Sequence, residues 1–422
     1  SRYTFAYPYP IAISVNGPVY GMEYPMICFN GPRPETDGTY SERTKYGLIS
    51  VVIHEVGHNF FPMIVNSDER QWTWMDEGLN TFLQYLAEQE WEDHYPSRRG
   101  EPADIVGYML SGQQVPIMTN SESILQFGNN AYAKPATALN VLRETVLGRE
   151  LFDFAFKEYA RRWKFKRPLP ADFFRTMEDA SGVDLDWFWR GWFYSTEHCD
   201  ISIEDVTWSV PTDGDPDREA DRKRQEKEAK TPSLSSSRNQ PLPKRANQFP
   251  DLKDFYNSYD PDAATEESRD AYKRMLEKLS EEDKALLQNK SNFYTVKLAN
   301  QGGLVMPVIL RVTYQDQSEE IIRLPAEIWA ADNLNAQASF ISAKTMVQLE
   351  LDPMRETADT NRDNNYFPPK LEPSRFELYQ RSESNRGGGD NPMRAQRKRE
   401  EAKQKKQAES AAKEKEVKSS EE

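Results

Sequence analysis

Apolar positions along this chain change their period three times, and each change marks a different kind of structure. Up to about residue 42 they fall in short extended runs broken by proline and glycine. One run covers residues 11–15, the turn Asn16-Gly17-Pro18 follows, and a second run covers residues 19–29. This predicts the last strands of a small sheet. The period then becomes helical. Leu48, Val51, Val52 and Val56 make one apolar face, predicting a helix over about residues 42–61, and Asp76-Glu77-Gly78-Leu79 opens a second that runs to about residue 91. From residue 107 to about 196 the pattern stays helical, with helices expected over 134–147, 151–163, 171–180 and 185–194. Pro135 sits where a missing N–H costs nothing, Leu139, Leu142 and Val146 form a stripe, and Gly182 is placed to stop a helix. The dense aromatics Trp187, Phe188, Trp189, Trp192 and Phe193 are read as core.

After Trp208 the pattern breaks down. Residues 211–246 are charged and rich in proline and serine, with almost no aliphatic side chains, so they cannot bury enough surface to offset the entropy of ordering. A polar helix is expected over 264–288, with Tyr272, Met275, Leu276 and Leu279 on the side that rests on a neighbouring domain. Strand signals then appear at 294–298, 305–314, 319–324 and 345–351, separated by Gln301-Gly302-Gly303 and Asp316-Gln317-Ser318, which fits a small antiparallel β-sandwich. The expected division is a helical domain over 1–205, a charged linker over 206–246, a helical segment over 247–292, a sandwich-like module over 293–356 and a polar, disordered tail over 357–422.

Composition narrows the partners. A net charge of −14 argues against nucleic acid, whose phosphates need a basic surface. No run approaches the roughly 18 consecutive apolar residues of a membrane helix. Cys28 and Cys199 lie in no C-x-x-C arrangement and read as free thiols. Asp359, Asn361 and Asp363 share the alternate spacing of a calcium loop, but Asn364 and Lys370 stand where glycine and glutamate are needed, so calcium is not expected there. His94, alone in a loop, receives no role. The chain starts at Ser1 in what reads as the interior of a folded region, so a fragment or processed chain is expected, with any signal peptide upstream. A periplasmic, cell-envelope or secreted location is slightly favoured; the oligomeric state is open.

The chemistry concentrates in HEVGHNFFPMIVNSDERQWTWMDE, residues 54–77. His54 and His58 are four apart, which on a helix brings both imidazoles to one face. Glu77 follows after eighteen intervening residues, a gap long enough to close a loop and start a second helix against the first. Two histidines and a glutamate make three zinc ligands with the fourth position open, the mark of a catalytic site. Glu55 does not itself ligate and stands beside His54, where it can take a proton from water held by the metal.

This stretch resembles the zinc aminopeptidase family of aminopeptidase N and leukotriene hydrolase, which belongs to the gluzincin peptidases. The likeness rests on H-E-x-x-H, eighteen residues, and a glutamate inside W-M-D-E-G-L; thermolysin-like relatives have a slightly longer gap. Tyr20-Gly21-Met22-Glu23-Tyr24 resembles the family's G-x-M-E-N, whose glutamate binds the substrate's free α-amine. The resemblance gives that role to Glu23 and a substrate-binding place to Gly21 and Met22, although Tyr20 and Tyr24 depart from the pattern. Tyr132-Ala133-Lys134-Pro135 resembles Y-x-K-G, whose tyrosine donates a hydrogen bond to the oxyanion, with proline replacing glycine here. The likeness covers about residues 1–200. It implies an α+β multidomain protein: a mainly helical gluzincin, thermolysin-like catalytic domain with a partial sheet at its start, followed by the sandwich module. Family members carry a large β domain before the catalytic one, and this chain begins after it.

The activity so implied is a zinc aminopeptidase with one Zn2+ per chain, Glu55 as base, Tyr132 at the oxyanion, and peptides with a free N-terminus as substrates. Endopeptidase cleavage, epoxide hydrolysis and a non-catalytic peptidase-fold scaffold are the alternatives.

Overall fold

The computed structural model describes residues 1–287 and 291–370. Its architecture is α+β, and the chain divides into two compact units. The first gathers Ser1–Val206, Val296–Ala338 and the described residues from Met346 onward, and the second Thr207–Thr295 and Ser339–Thr345. Among the described residues no helix is long and apolar enough to cross a membrane.

The first unit opens with strands β1 (Ile13–Asn16), β2 (Gly21–Tyr24) and β3 (Ile27–Asn30), in the order β1-β3-β2. β1 pairs with β3 in parallel and β2 antiparallel, with Glu23 opposite Cys28. The two-residue pleat gives Gly21 and Glu23 one face of β2, half-buried, and turns Met22 and Tyr24 to the other. Helix α1 (Glu42–Gly57) follows. Ser41 caps it by accepting a hydrogen bond from the Thr44 N–H, which satisfies one of the free donors of the first turn. The expected apolar face is only half-buried: Leu48, Val51, Val52 and Val56 keep part of their surface, and the fully buried residues of α1 are His54 and Glu55. α1 is thus fixed by its chemistry as much as by its hydrophobic stripe. The chain leaves it through a wide turn at Asn59–Ile64 and enters α2 (Glu77–Trp91).

Helices α3 (Pro102–Met109), α4 (Lys134–Val141), α5 (Arg149–Trp163), α6 (Pro170–Ser181) and α7 (Asp186–Trp189) complete the helical part. Gly182 ends α6 with φ 68°. The expected helix over 134–147 is present as α4 continued by wider, π-helical turns at Leu142–Val146, and similar turns at Gly128–Ala133 precede it. An aromatic core holds these helices together. Phe82 meets Phe152 at 5.4 Å, Tyr159 meets Phe173 at 4.8 Å, and Trp74 stacks on Phe174 at 5.8 Å. Each such ring contributes about 1.5–3 kcal/mol by leaving water. Phe188, Trp189, Trp192 and Phe193 are buried as read from the sequence, while Trp187 is half-buried. α2 and α4 approach closely at Gly78, where a Cβ would lie 2.6 Å from Pro135 Cγ.

The later strands form two sheets. Strands β6 (Val308–Tyr314), β7 (Glu319–Leu324), β9 (Met346–Leu351) and β10 (Tyr366–Phe367) lie in the order β10-β9-β6-β7, all antiparallel. Strands β4 (Ile201–Ser209), β5 (Asn292–Asn300) and β8 (Asn335–Ser342) form the other, in the order β4-β5-β8. The sequence reading found β5, β6, β7 and β9 and missed β4, β8 and β10.

Two expected boundaries differ from what is seen. The stretch from 357, read as part of a polar tail, is packed where it is described: Thr357, Ala358, Asp359 and Asn365 are buried. Their polarity is used locally: Asp359 accepts hydrogen bonds from the N–H groups of Asn361 and Ile201, and Thr360 donates from its N–H to the Cys199 carbonyl. Residues 371–422, the rest of that tail, lie outside the described residues. The stretch read as a linker holds helix α8 (Pro216–Ala229), yet Ala220 is the one buried side chain from 211 to 246.

The second unit is built on charge. Arg222 pairs with Glu219 and Glu226 along α8, and Arg269 of the helix Glu266–Lys278 pairs with Asp217. The expected polar helix is two, Glu266–Lys278 and Glu281–Leu287.

Candidate metal centre and cleft

His54 and His58, at the end of α1, and Glu77, at the start of α2, converge on one point. His54 Nε2 lies 3.1 Å from His58 Nε2 and 3.1 Å from Glu77 Oε2, and His58 Nε2 lies 3.4 Å from the same oxygen. The opposite ring nitrogens are engaged elsewhere. His54 Nδ1 is 2.8 Å from Gln84 Oε1, and His58 Nδ1 is 3.0 Å from the Phe61 carbonyl and 2.9 Å from Asp76 Oδ1. With acceptors at both Nδ1 atoms, each ring can keep a proton there and offer its Nε2 lone pair inward to a cation. Without a cation, protons on the Nε2 side let the imidazoles hydrogen-bond Glu77, and a metal would take the place of those protons. The three residues therefore fit a metal of the zinc type, with N and O donors.

The electrostatics point the same way. Burial alone raises the Glu77 carboxyl, but its hydrogen bonds to His54 and His58 outweigh this and hold it well below the usual carboxylate range. Burial opposes charge on His58, and Asp76 and Glu77 overcome it, so the imidazole is held well above its ordinary value. The pocket attracts positive charge.

Glu55 points to the same space without joining the triad. It is buried, its Oε2 has no hydrogen-bond partner among the described residues, and Oε1 packs so tightly on Gly21 that a Cβ there would collide with it. Burial, reinforced by Glu23 and Glu77, pushes its carboxyl up to about 8, and a cation nearby draws it back down. Glu23, Glu55 and His58 offer ligand-type atoms within 4.8 Å of one another, so β2 brings Glu23 to the same place.

These groups line a cleft of about 780 Å³, together with Gly21, Met22 and Tyr132. The pleat turns the Met22 side chain to the outer face of β2. Tyr132, in the turn before α4, stacks on His54 with ring centres 5.7 Å apart. Burial raises its phenol, and the Glu77 charge raises it further. All eight residues singled out in the sequence thus meet in one cleft.

Residues 1–192 match the model of the peptidase family M1 domain. This part of the chain is similar to the peptidase family M1 domain. Among relatives of that family, the glutamyl aminopeptidase of Sus scrofa is 26% identical over 167 residues, covering 38% of this chain and 18% of that protein. The aminopeptidase N of Lactococcus lactis subsp. lactis is 24% identical over 180 residues, covering 40% of this chain and 21% of that protein. The chain thus aligns with about a fifth of the length of these curated relatives. The crystal structure of Legionella pneumophila aminopeptidase A in complex with aspartic acid is similar over 86% of this chain and 32% of its own, at 13% identity and a TM-score of 0.45.

Sequence reasoning missed the supports of this site. Gln84 stands two helical turns after Glu77 on the same face, a signal available from spacing alone. Its Nε2 donates to Glu88 Oε1 at 2.7 Å, and the buried Glu88 also accepts from Ser97. Asp76 lies beside Glu77 in sequence. Asn80 Nδ2 donates to the His54 carbonyl at 2.7 Å and ties α2 to α1. Arg99 comes from a loop, and no pattern announced it.

Proposed function

We propose that this chain is a zinc-dependent aminopeptidase that releases N-terminal residues from peptides. The observation that carries the reading is the convergence of His54, His58 and Glu77 beside the buried, unpartnered Oε2 of Glu55. Zinc, held by His54, His58 and Glu77, would supply electrophilic activation of the scissile carbonyl and of water.

The rest is done by side chains. Glu55 takes the proton of the attacking water on its free oxygen and returns it to the leaving amine, work to which a carboxyl near neutral pKa is suited. Tyr132 donates its O–H to the developing oxyanion, where one such donor contributes about 3–4 kcal/mol. Glu23, held toward the same space by β2, pairs with the substrate ammonium and sets the register so that one residue is released.

The test is hydrolysis of one amino-acyl reporter in free-amine and N-acetylated forms, with zinc supplied and then chelated. Cleavage of the free form alone, lost on chelation, is expected. Equal cleavage of both would replace the aminopeptidase reading by an endopeptidase, and cleavage that survives chelation would remove the metal. Glu23→Ala is expected to raise KM for free-amine substrates far more than it lowers kcat.

A further inference from the structure

Arg99 carries a charge that no side chain of the described residues pairs with. It stands in the loop between α2 and α3 and lines the cleft. Its guanidinium carbon lies 4.5 Å from the centre of the Tyr132 ring, which itself stacks on His54. No carboxylate among the described residues is within ion-pairing distance of it, although Glu23, Glu77 and Glu88 line the same cleft. Arg143, also withdrawn from water, shows the contrast: it is held by Asp153 and Glu144. Burial holds the Arg99 pKa below its ordinary value, so the site bears a desolvation cost that no ion pair offsets. Arg98 and Arg43 line the cleft too and add positive charge.

A guanidinium is a planar fork of donors matched to a carboxylate, and the Tyr132 face occupies only its flat side. Its N–H edge stays available. Resting on the reading of this cleft as a peptide site, we propose that Arg99 determines specificity by binding a carboxylate of the bound peptide. That carboxylate comes either from an acidic side chain after the scissile bond or from the free C-terminus of a short peptide. With Glu23 taking the ammonium, the cleft then recognises a dipeptide-sized substrate by charges at both ends.

Equilibrium binding separates this from turnover. Three dipeptides, Ala-Ala, Ala-Ala amide and Ala-Asp amide, are titrated by calorimetry into the zinc-loaded chain carrying Glu55→Gln. At least one carboxylate-bearing peptide is expected to bind about tenfold or more tighter than Ala-Ala amide, the size of one charge-assisted hydrogen bond. Tighter binding of Ala-Ala assigns the C-terminal carboxylate, and of Ala-Asp amide the side chain. Adding Arg99→Gln is expected to abolish the preference while Ala-Ala amide keeps its affinity within about twofold, and Arg99→Lys is expected to keep part of it. Equal affinities for the three peptides, no binding of any, a preference that survives Arg99→Gln, or an equal loss for all three would overturn the proposal. The last result would make Arg99 a support of Tyr132. Cleavage of the same peptides by the chain with Glu55 intact tests the aminopeptidase reading on its own, since a carboxylate preference without cleavage removes that reading and leaves this one.

Discussion

Between His54 and Glu88 charged and polar side chains are buried and face one another; along α8 and the helix Glu266–Lys278 they are exposed and paired with neighbours on the surface. The amino acids are of the same kinds. In the first region water is excluded, so each interaction is strong and each unmatched group is costly, and carboxylates shift far from their ordinary values. In the second, solvent screens every pair. The comparison teaches that the number of ion pairs says little about what charge does in this chain. The Glu77 carboxylate against two imidazoles shapes a site, and the Arg222 pairs decorate a helix.

Substitutions can break this contrast at different depths. The deepest is Glu55→Gln, which keeps the buried shape and removes the base; turnover is expected to fall by about 10²–10⁴ with zinc content unchanged, measured by steady-state kinetics beside metal analysis. Retained activity would remove Glu55 from the chemistry. Gln84→Ala is next. It leaves all three ligands but frees His54 Nδ1, and zinc affinity is expected to weaken by about 10–100-fold in competition with a chelator. An unchanged affinity would show that His54 needs no such support.

Lys134 sharpens the comparison inside the buried region. Its ammonium is fully buried and donates to Gln114 Oε1 at 2.8 Å and the Ser195 carbonyl, and burial draws its pKa down to about 7. The unfolded chain therefore holds this proton between about pH 7 and the ordinary lysine value, and the folded chain does not. The stability of the parent relative to Lys134→Met should rise with pH across that window, by about 1.4 kcal/mol per pH unit, and be flat below pH 7. Thermal unfolding of both chains at pH 6, 7, 8 and 9 measures it, and a difference that does not change with pH would mean that the lysine keeps its proton. The smallest effect is expected for Asp217→Asn, which cuts the fully exposed pair with Arg269. No measurable change in unfolding midpoint is expected at physiological salt, and a clear fall would show that surface pairing organises the second unit.

Much of the site could be read from spacing, because spacing within a helix is geometry. A spacing of four from His54 to His58 means one face, and helix formation needs no distant partner to produce it. Glu77, Gly21, Glu23 and Tyr132 were reachable by resemblance, since their motifs are short and local. Gln84 was overlooked although its helical position relative to Glu77 was available. The strands with dense β-branched positions, β6, β7 and β9, were visible. β8, Asn335–Ser342, was not, because its residues alternate small, polar and exposed side chains and it is a strand only through its pairing with β5. The polar run from 357 read as solvated because composition does not say whether an aspartate faces water or a backbone N–H; Asp359 faces two N–H groups.

By itself, then, the sequence determined the α+β class, the succession of helices through Trp192, and the pairing of His54 and His58 on one helical face with Glu55 beside them, all of which follow from periodicity and short spacing. The tertiary structure alone decided that α1 is buried through His54 and Glu55 more than through its valines, that Gly21 seats the Glu55 carboxylate, and that Arg99 stands beside Tyr132 with no carboxylate among the described residues to meet it. These are contacts between segments far apart in the chain. They depend on which surfaces pack together and how much water they exclude, and no local pattern encodes that.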